Sequence, residues 1–281
     1  KLLERDLSLE VISKPSEAGD DSGVVYVVSE GCLGDVELIP GKVDSHYGES
    51  AASCCRRSVE FTESGEVSAI VSTPFNKESF HMAGYDILDD MSYFEHCYGV
   101  SNKAYMVGEV AGIWITMVTY HVSFRKIVDL ITYESVTEKI KGLYRVMNAA
   151  EVTPIRIGVA GLNVHAGEGG MFGDEEIRVI HPAIKDAQSE GYEVYGAIPP
   201  DSTFLKALDG DFNGLVFMYH DQANIGRKIL GRDKPGVTLY MGMPSPVLTV
   251  PHGTAFDIAW KGKARYEMLL RATKMAAAMS N

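Results

Sequence analysis

Three histidines stand where a metal or a proton could be handled. His121 ends the apolar run Thr116-Met-Val-Thr-Tyr-His121. His220 lies in Met218-Tyr-His-Asp-Gln222, just after the apolar run Gly214-Leu-Val-Phe217. His165 sits at the centre of Gly161-Leu-Asn-Val-His-Ala-Gly-Glu-Gly-Gly-Met-Phe-Gly-Asp-Glu-Glu176. Imidazole is the commonest metal ligand and titrates near neutrality. In open α/β sheets, ligands collect at the carboxyl ends of strands. Any one of these histidines alone reads equally well as a satisfied, partly buried side chain. Three in the same topological position point to a shared site.

The stretch around His165 is glycine-rich. It follows the strand pattern Ile155-Arg-Ile-Gly-Val-Ala160 and precedes a helix whose first turn carries Asp174, Glu175 and Glu176. Glycines allow close backbone approach and positive φ. A helix N-terminus offers free N–H groups to a phosphate. The bland alternative is a flexible loop with a surface histidine. A fourth block, Val250-Pro-His-Gly-Thr-Ala-Phe-Asp-Ile-Ala-Trp-Lys-Gly-Lys-Ala264, reads as a turn and a helix start, with Thr254 or Asp257 available as a cap.

These motifs need strands and helices to position them, and the pattern supplies both. Strands are expected at 8–12, 24–28, 69–72, 104–107, 113–119, 155–160, 193–197, 214–218 and 237–240. Helices are expected at 50–63, 89–98, 123–131, 136–150, 175–190, 201–208 and 265–278. Such alternation predicts a mostly parallel α/β fold with helices on both faces. Gly99-Val100 and Ser101-Asn102 mark turns, and no Pro/Gly/Ser tether divides the chain.

The 281 residues suffice for one large or two moderate domains. A net charge of −12 argues against nucleic acid as the main partner. No apolar run approaches the roughly 20 residues that span a membrane. Cys32, Cys54, Cys55 and Cys97 have no metal or redox spacing and read as free thiols of a cytoplasmic enzyme. The chain begins at Lys1 with no initiator methionine, and Lys1-Leu-Leu-Glu4 reads like a helix tail, so a preceding segment is expected.

Taken together, the blocks resemble the 4-hydroxythreonine-4-phosphate dehydrogenase family. The resemblance rests on Gly161–Gly170 with Phe172-Gly173, on Met218-Tyr-His-Asp-Gln222, and on His252-Gly-Thr-Ala-Phe-Asp-Ile-Ala259. Ser72-Thr-Pro-Phe-Asn-Lys77 with Ala83-Gly84, and Thr119-Tyr-His121, extend it upstream. The last block is also similar to the cofactor loop of the wider isocitrate and isopropylmalate dehydrogenase superfamily. The resemblance implies a two-lobed α/β/α fold, with an outer lobe of 1–81 plus 258–281 and a central lobe of 82–257. It implies a homodimer, NAD or NADP, and a divalent metal shared across the dimer. Zinc suits three imidazoles best, with manganese, cobalt or magnesium as alternatives.

Carried onto this chain, the metal ligands are His121, His165 and His220. Lys228 matches a substrate-contacting lysine and is a candidate catalytic group. Asp221, beside His220, is a candidate catalytic or orienting carboxylate. His252, Gly253, Ala255 and Asp257, with Asn163, are the cofactor candidates. Trp260 stands where the family has glycine. The family's Gly-His-Thr-Glu window reads Asp89-Asp90-Met91-Ser92 here, so Asp90 and Met91 replace substrate-contacting His and Thr. Its asparagine aligns with Thr238, across a one-residue insertion near Lys234-Pro235, and its arginine aligns with Val247. The family's opening strand and Gly-rich Asp-Pro loop have no counterpart in this chain.

The function expected is a metal- and NAD(P)-dependent oxidation of a secondary alcohol in a hydroxy acid, with decarboxylation. Losing an arginine and a histidine while gaining a carboxylate disfavours phosphate. The substrate expected is therefore unphosphorylated, a cis-dihydrodiol carboxylate or a sugar acid. The alternatives are 4-hydroxythreonine-4-phosphate itself, or a non-catalytic metal- or nucleotide-binding relative.

Overall fold

The computed structural model describes residues 7–34, 36–101 and 103–280. The helix tail expected at Lys1–Glu4 and the Asn102 half of the expected turn lie outside the described residues. Strands and helices alternate in chain order: β1 (Ser8–Ile12), β2 (Val24–Val28), α1 (Ser45–Glu63), β3 (Ile70–Ser72), α2 (Lys77–Met82), α3 (Asp90–Cys97), β4 (Tyr105–Val110), β5 (Ile113–Met117), α4 (Phe124–Leu130), α5 (Tyr133–Ala149), β6 (Ile157–Ala160), α6 (His181–Ser189), β7 (Val194–Ile198), α7 (Pro200–Leu208), β8 (Gly214–Phe217), α8 (His220–Leu230), β9 (Gly236–Met241), β10 (Val247–Thr249) and α9 (Glu267–Met279). One compact unit takes 1–104 and 242–276, the other 105–241, with the last five residues divided between them. The expected lobe boundaries at 81/82 and 257/258 do not coincide with these crossings. The physical reason at the first crossing is that α3 joins the aromatic cluster of the first unit, with the Tyr93 ring edge-on to Phe80 at 5.0 Å.

In the first unit β1 runs parallel to β2, and β3 runs parallel to β10. Asp44 caps α1 by accepting from the His46 N–H at 3.0 Å. Gly48 lets α1 lie directly on α2, because a Cβ there would fall on the Ser79 carbonyl. Ala52, Phe80, Tyr93 and Phe94 are fully buried around this contact.

In the second unit the strand order is β9-β4-β5-β8-β6-β7. The four strands β5, β8, β6 and β7 are parallel, while β4 is antiparallel to both β9 and β5. All residues of β5, β6 and β8 are buried. Continuous apolar runs of this kind belong to parallel sheets covered on both faces. Ile140, Leu143 and Met147 of α5 supply part of that cover.

Three elements differ from the expectations. α2 and β10 are short and fall below the length at which periodicity is legible. α8 is missing from the expected helices, because Tyr219 offers no side-chain cap and the segment is polar. Only Ala223 and Asn224 of α8 are buried.

The glycine-rich loop after β6 is closed from within. The buried Glu176 carboxylate accepts from the N–H groups of Leu162 at 2.7 Å and Asn163 at 2.8 Å. The Asn163 side-chain amide donates to Glu175 at 2.7 Å and to Glu176 at 2.9 Å. Between these anchors five consecutive residues, His165 to Gly169, have left-handed φ of 43° to 79°. Non-glycine residues rarely take this conformation, and it persists only when the surroundings over-determine it. Contrary to the expected phosphate cradle, the two N–H groups at the loop entrance are spent on Glu176. Three carboxylates at the helix start make a poor seat for an anion.

Two stability outcomes follow. Gly48→Ala should destabilise the protein by about 1–3 kcal/mol through overpacking, read as a lowered urea midpoint; an unchanged midpoint would show that α1 and α2 can separate freely. Glu176→Ala strands two N–H donors, each costing about 1–3 kcal/mol. Hydrogen exchange at Leu162 and Asn163 should accelerate markedly, and unchanged protection would count against Glu176 as the anchor.

Candidate metal and substrate site

The parallel register of β5 and β8 sets the first two histidines. Beyond the strands proper, Val118 N–H donates to Phe217 O at 2.8 Å and Thr119 N–H to Met218 O at 3.1 Å. The Thr119 hydroxyl adds a bond to the same Met218 carbonyl at 2.9 Å. His121 and His220 are each two residues past this last rung. Their ring centroids are 5.9 Å apart, with planes at 47°. Imidazole–zinc bonds of about 2.0–2.1 Å would place two ligand rings roughly 5 Å apart. The pair therefore fits a shared divalent ion with small ring rotations.

His220 opens α8, and its Nδ1 lies 2.8 Å from Asp221 Oδ1. A carboxylate on one ring nitrogen fixes the tautomer and leaves the other as the donor to a metal. His165 is exposed on the left-handed run, its ring 6.2 Å from Phe172. Among the described residues of this single chain, no three His, Cys, Asp or Glu side chains form a metal-holding group. Two of the three expected ligands are thus brought together and the third is not.

Gln222, the last residue of the Met218–Gln222 motif, has a structural role that the motif does not announce. Its side chain accepts from the Met218 N–H at 3.0 Å and donates to the Gly161 carbonyl at 3.1 Å. It thereby ties the end of β8, the start of α8 and the entrance of the glycine-rich loop. The clue was a polar residue two places after a candidate ligand, which sequence alone could not connect to Gly161. Asn163, by contrast, spends its amide on Glu175 and Glu176, which leaves little for a cofactor.

Lys228 lies exposed on α8. Thr238 is buried on β9, where its hydroxyl receives Arg227 Nη1 at 3.5 Å. In the first unit, Asp90 begins α3 with its side chain 15% exposed, 3.6 Å from Lys77. Burial pushes its carboxyl up from the usual range, and the Lys77 ammonium opposes that. Met91 is half-buried beside it. Val247 is fully buried on β10 and presents nothing to a ligand. Its assignment as a substrate contact is not met by this packing.

His252, Gly253, Ala255 and Asp257 are exposed. His252 Nδ1 lies 2.8 Å from the Gly253 carbonyl, and the Asp257 carbonyl accepts from Lys261 at 2.6 Å. A Cβ at Gly253 would meet no protein atom within 4 Å, so the fold itself does not demand glycine there. Thr254, Phe256 and Trp260 of the same block line a cavity of about 580 Å³, together with Leu38, Tyr47 and Phe75. Trp260 has φ 59°, the left-handed conformation that explains the family's glycine at this position.

Several known proteins are similar to this chain. The D-threonate 4-phosphate dehydrogenase of Salmonella typhimurium is 36% identical over 274 residues, covering 96% of this chain and 82% of that protein. The crystal structure of 4-hydroxythreonine-4-phosphate dehydrogenase from Klebsiella pneumoniae superposes with a TM-score of 0.84 at 34% identity, over 98% of this chain and 83% of that one. A terephthalate 1,2-cis-dihydrodiol dehydrogenase from Burkholderia xenovorans superposes with a TM-score of 0.70 at 23% identity, over 98% and 84% of the two chains, and shows the shared fold alone. The fold is the α/β, mostly parallel architecture of isocitrate and isopropylmalate dehydrogenases that the motifs implied. Residues 1–276 match the description Pyridoxal phosphate biosynthetic protein PdxA, and the chain belongs to that family.

Proposed function

We propose that this chain is a divalent-metal- and NAD-dependent dehydrogenase that oxidises a secondary alcohol of a phosphorylated hydroxy acid, of the D-threonate 4-phosphate type. The observation that carries this reading is the His121–His220 pair, held at 5.9 Å by the rung beyond β5 and β8. The names of the similar proteins support a phosphorylated acid. They displace the expected unphosphorylated substrate, and the side chains give physical reasons. The carboxylate of Asp90 has Lys77 beside it, so its repulsion of a phosphate is partly cancelled. The apolar Val247 faces the core and says nothing about the ligand.

A divalent ion held by His121 and His220, with the partner subunit's His165 as the third ligand in a homodimer, would supply Lewis acidity to an alcohol oxygen. NAD supplies the hydride acceptor. The residues of the chain have their own parts. Asp221 holds the His220 ring in one tautomer. Lys228 can grip a carboxylate or return a proton to carbon. Gly253 lets a nucleotide approach the backbone, and the Phe256–Trp260 cavity takes its base. Where the oxidised carbon lies β to the carboxylate, release of CO2 accompanies oxidation. No helix among the described residues is long and apolar enough to cross a membrane; the cysteines of the described residues are free, which supports a cytoplasmic site of action.

NADH formation should be seen with D-threonate 4-phosphate or 4-hydroxythreonine-4-phosphate and added metal. Chelation should abolish it, and zinc, manganese, cobalt or magnesium should restore it. His220→Ala should lower kcat/KM by about a hundredfold or more. No NADH from either substrate under any metal would sink the reading and favour an idle relative. Gly253→Val should leave the melting temperature unchanged while raising KM for NAD about tenfold, equivalent to about 1.4 kcal/mol. Unaltered KM would remove this loop from the nucleotide site.

A further inference from the structure

Arg227 is a half-buried cation with little to do in the folded chain. It belongs to α8, one residue before Lys228 and two turns after His220. In a helix the Cα–Cβ bonds tilt toward the N-terminus, here the end that carries His220. A glycine on β4 makes room for it. Gly108 is the cross-strand partner of Thr238 on β9, and a Cβ at Gly108 would fall on the Arg227 guanidinium.

The guanidinium has five N–H donors. Among the described residues it makes one hydrogen bond, to Thr238 Oγ1 at 3.5 Å, the outer limit of such a contact. It forms no ion pair with a carboxylate among those residues. Burial pushes its pKa down from the usual value, opposed only by the Tyr240 phenol. A cation drawn partly out of water without a charged partner is left with an unfavourable desolvation. A half-buried guanidinium with most of its donors unused is well suited to take an anionic ligand. Thr238 occupies the position of the family's substrate-contacting asparagine, so the single bond of Arg227 marks that position.

We infer that Arg227 supplies the guanidinium that grips the substrate's phosphate, with the Thr238 hydroxyl and Lys228 beside it, in place of the arginine that this chain lacks at Val247. The inference rests on the proposed phosphorylated substrate. It accounts for two departures together, the loss of arginine at 247 and the asparagine-to-threonine change at 238, and gives a role to an arginine lying over the glycine at 108. An arginine fork matches phosphate oxygens in two parallel bonds, and a threonine hydroxyl is short enough to leave the fork its space. His220 and Arg227 are about 10 Å apart along the helix axis. An arginine side chain and an extended four-carbon acid can span that distance together.

The test uses the full chain with NAD and metal, comparing wild type, Arg227→Met and Arg227→Lys. The substrates are D-threonate 4-phosphate and unphosphorylated D-threonate, and inorganic phosphate is titrated separately by calorimetry. Arg227→Met should lower kcat/KM for the phosphorylated acid about a hundredfold, mostly through KM, and leave the weak activity on D-threonate within about twofold. The phosphate dissociation constant should rise about tenfold or more. Arg227→Lys keeps the charge without the fork and should fall between the two. Equal losses on both substrates, or unchanged phosphate binding in a folded Arg227→Met or Arg227→Lys protein, would overturn the inference. If wild type turns over neither acid, the proposed function fails, and the phosphate titration still decides the role of Arg227.

Discussion

The parallel register of β5 against β8 is the constraint from which the site derives. The backbone rungs at Val118–Phe217 and Thr119–Met218 carry the ladder past the ends of both strands. A slip of one residue would turn every side chain to the opposite face. With the register held, His121 and His220 leave the sheet together, and the rest of the local architecture elaborates that exit. α8 starts at His220, so its first residues fix the imidazole through Asp221 and tie the glycine-rich loop through Gln222. The polar character of α8 is tolerable because only two of its residues are buried against the sheet.

The glycine-rich loop works by a different economy. Its left-handed run would be strained if free, and Glu176 supplies the bonds that hold it. The same carboxylates remove it as an anion site. The cations of the second unit's site region stand elsewhere, Arg227 and Lys228 both on α8. One helix thus presents a histidine at its start and two cations two turns later. A rigid element places both more exactly than a loop could.

Charge compensation also decides how the altered positions should be weighed. Asp90 carries a carboxylate where the related pattern has a neutral or cationic side chain, but Lys77 stands 3.6 Å away. Val247 replaces an arginine, but it is core. Thr238 replaces an asparagine and touches a guanidinium that no aligned position predicts. Residue types at aligned positions described what was lost. They could not describe what had moved in from a neighbouring helix.

The sequence by itself determined the fold class, the strand-end positions of the three histidines, and the family. Each depends on local information: apolar runs of strand length, glycine spacing, and short motifs in a set order. The resemblance also placed Trp260 where a glycine is expected, and its φ there is 59°. Tertiary structure alone decided that β4 runs antiparallel within the unit, that α8 is a helix, and that Glu176 spends the loop's N–H groups on itself. It alone decided that His121 and His220 face each other, 99 residues apart in sequence, while His165 does not join them within one chain. It alone brought Arg227 over Gly108 to Thr238. These are long-range matters, set by strand pairing and by which side chains compete for the same backbone donors, and no local pattern encodes that competition.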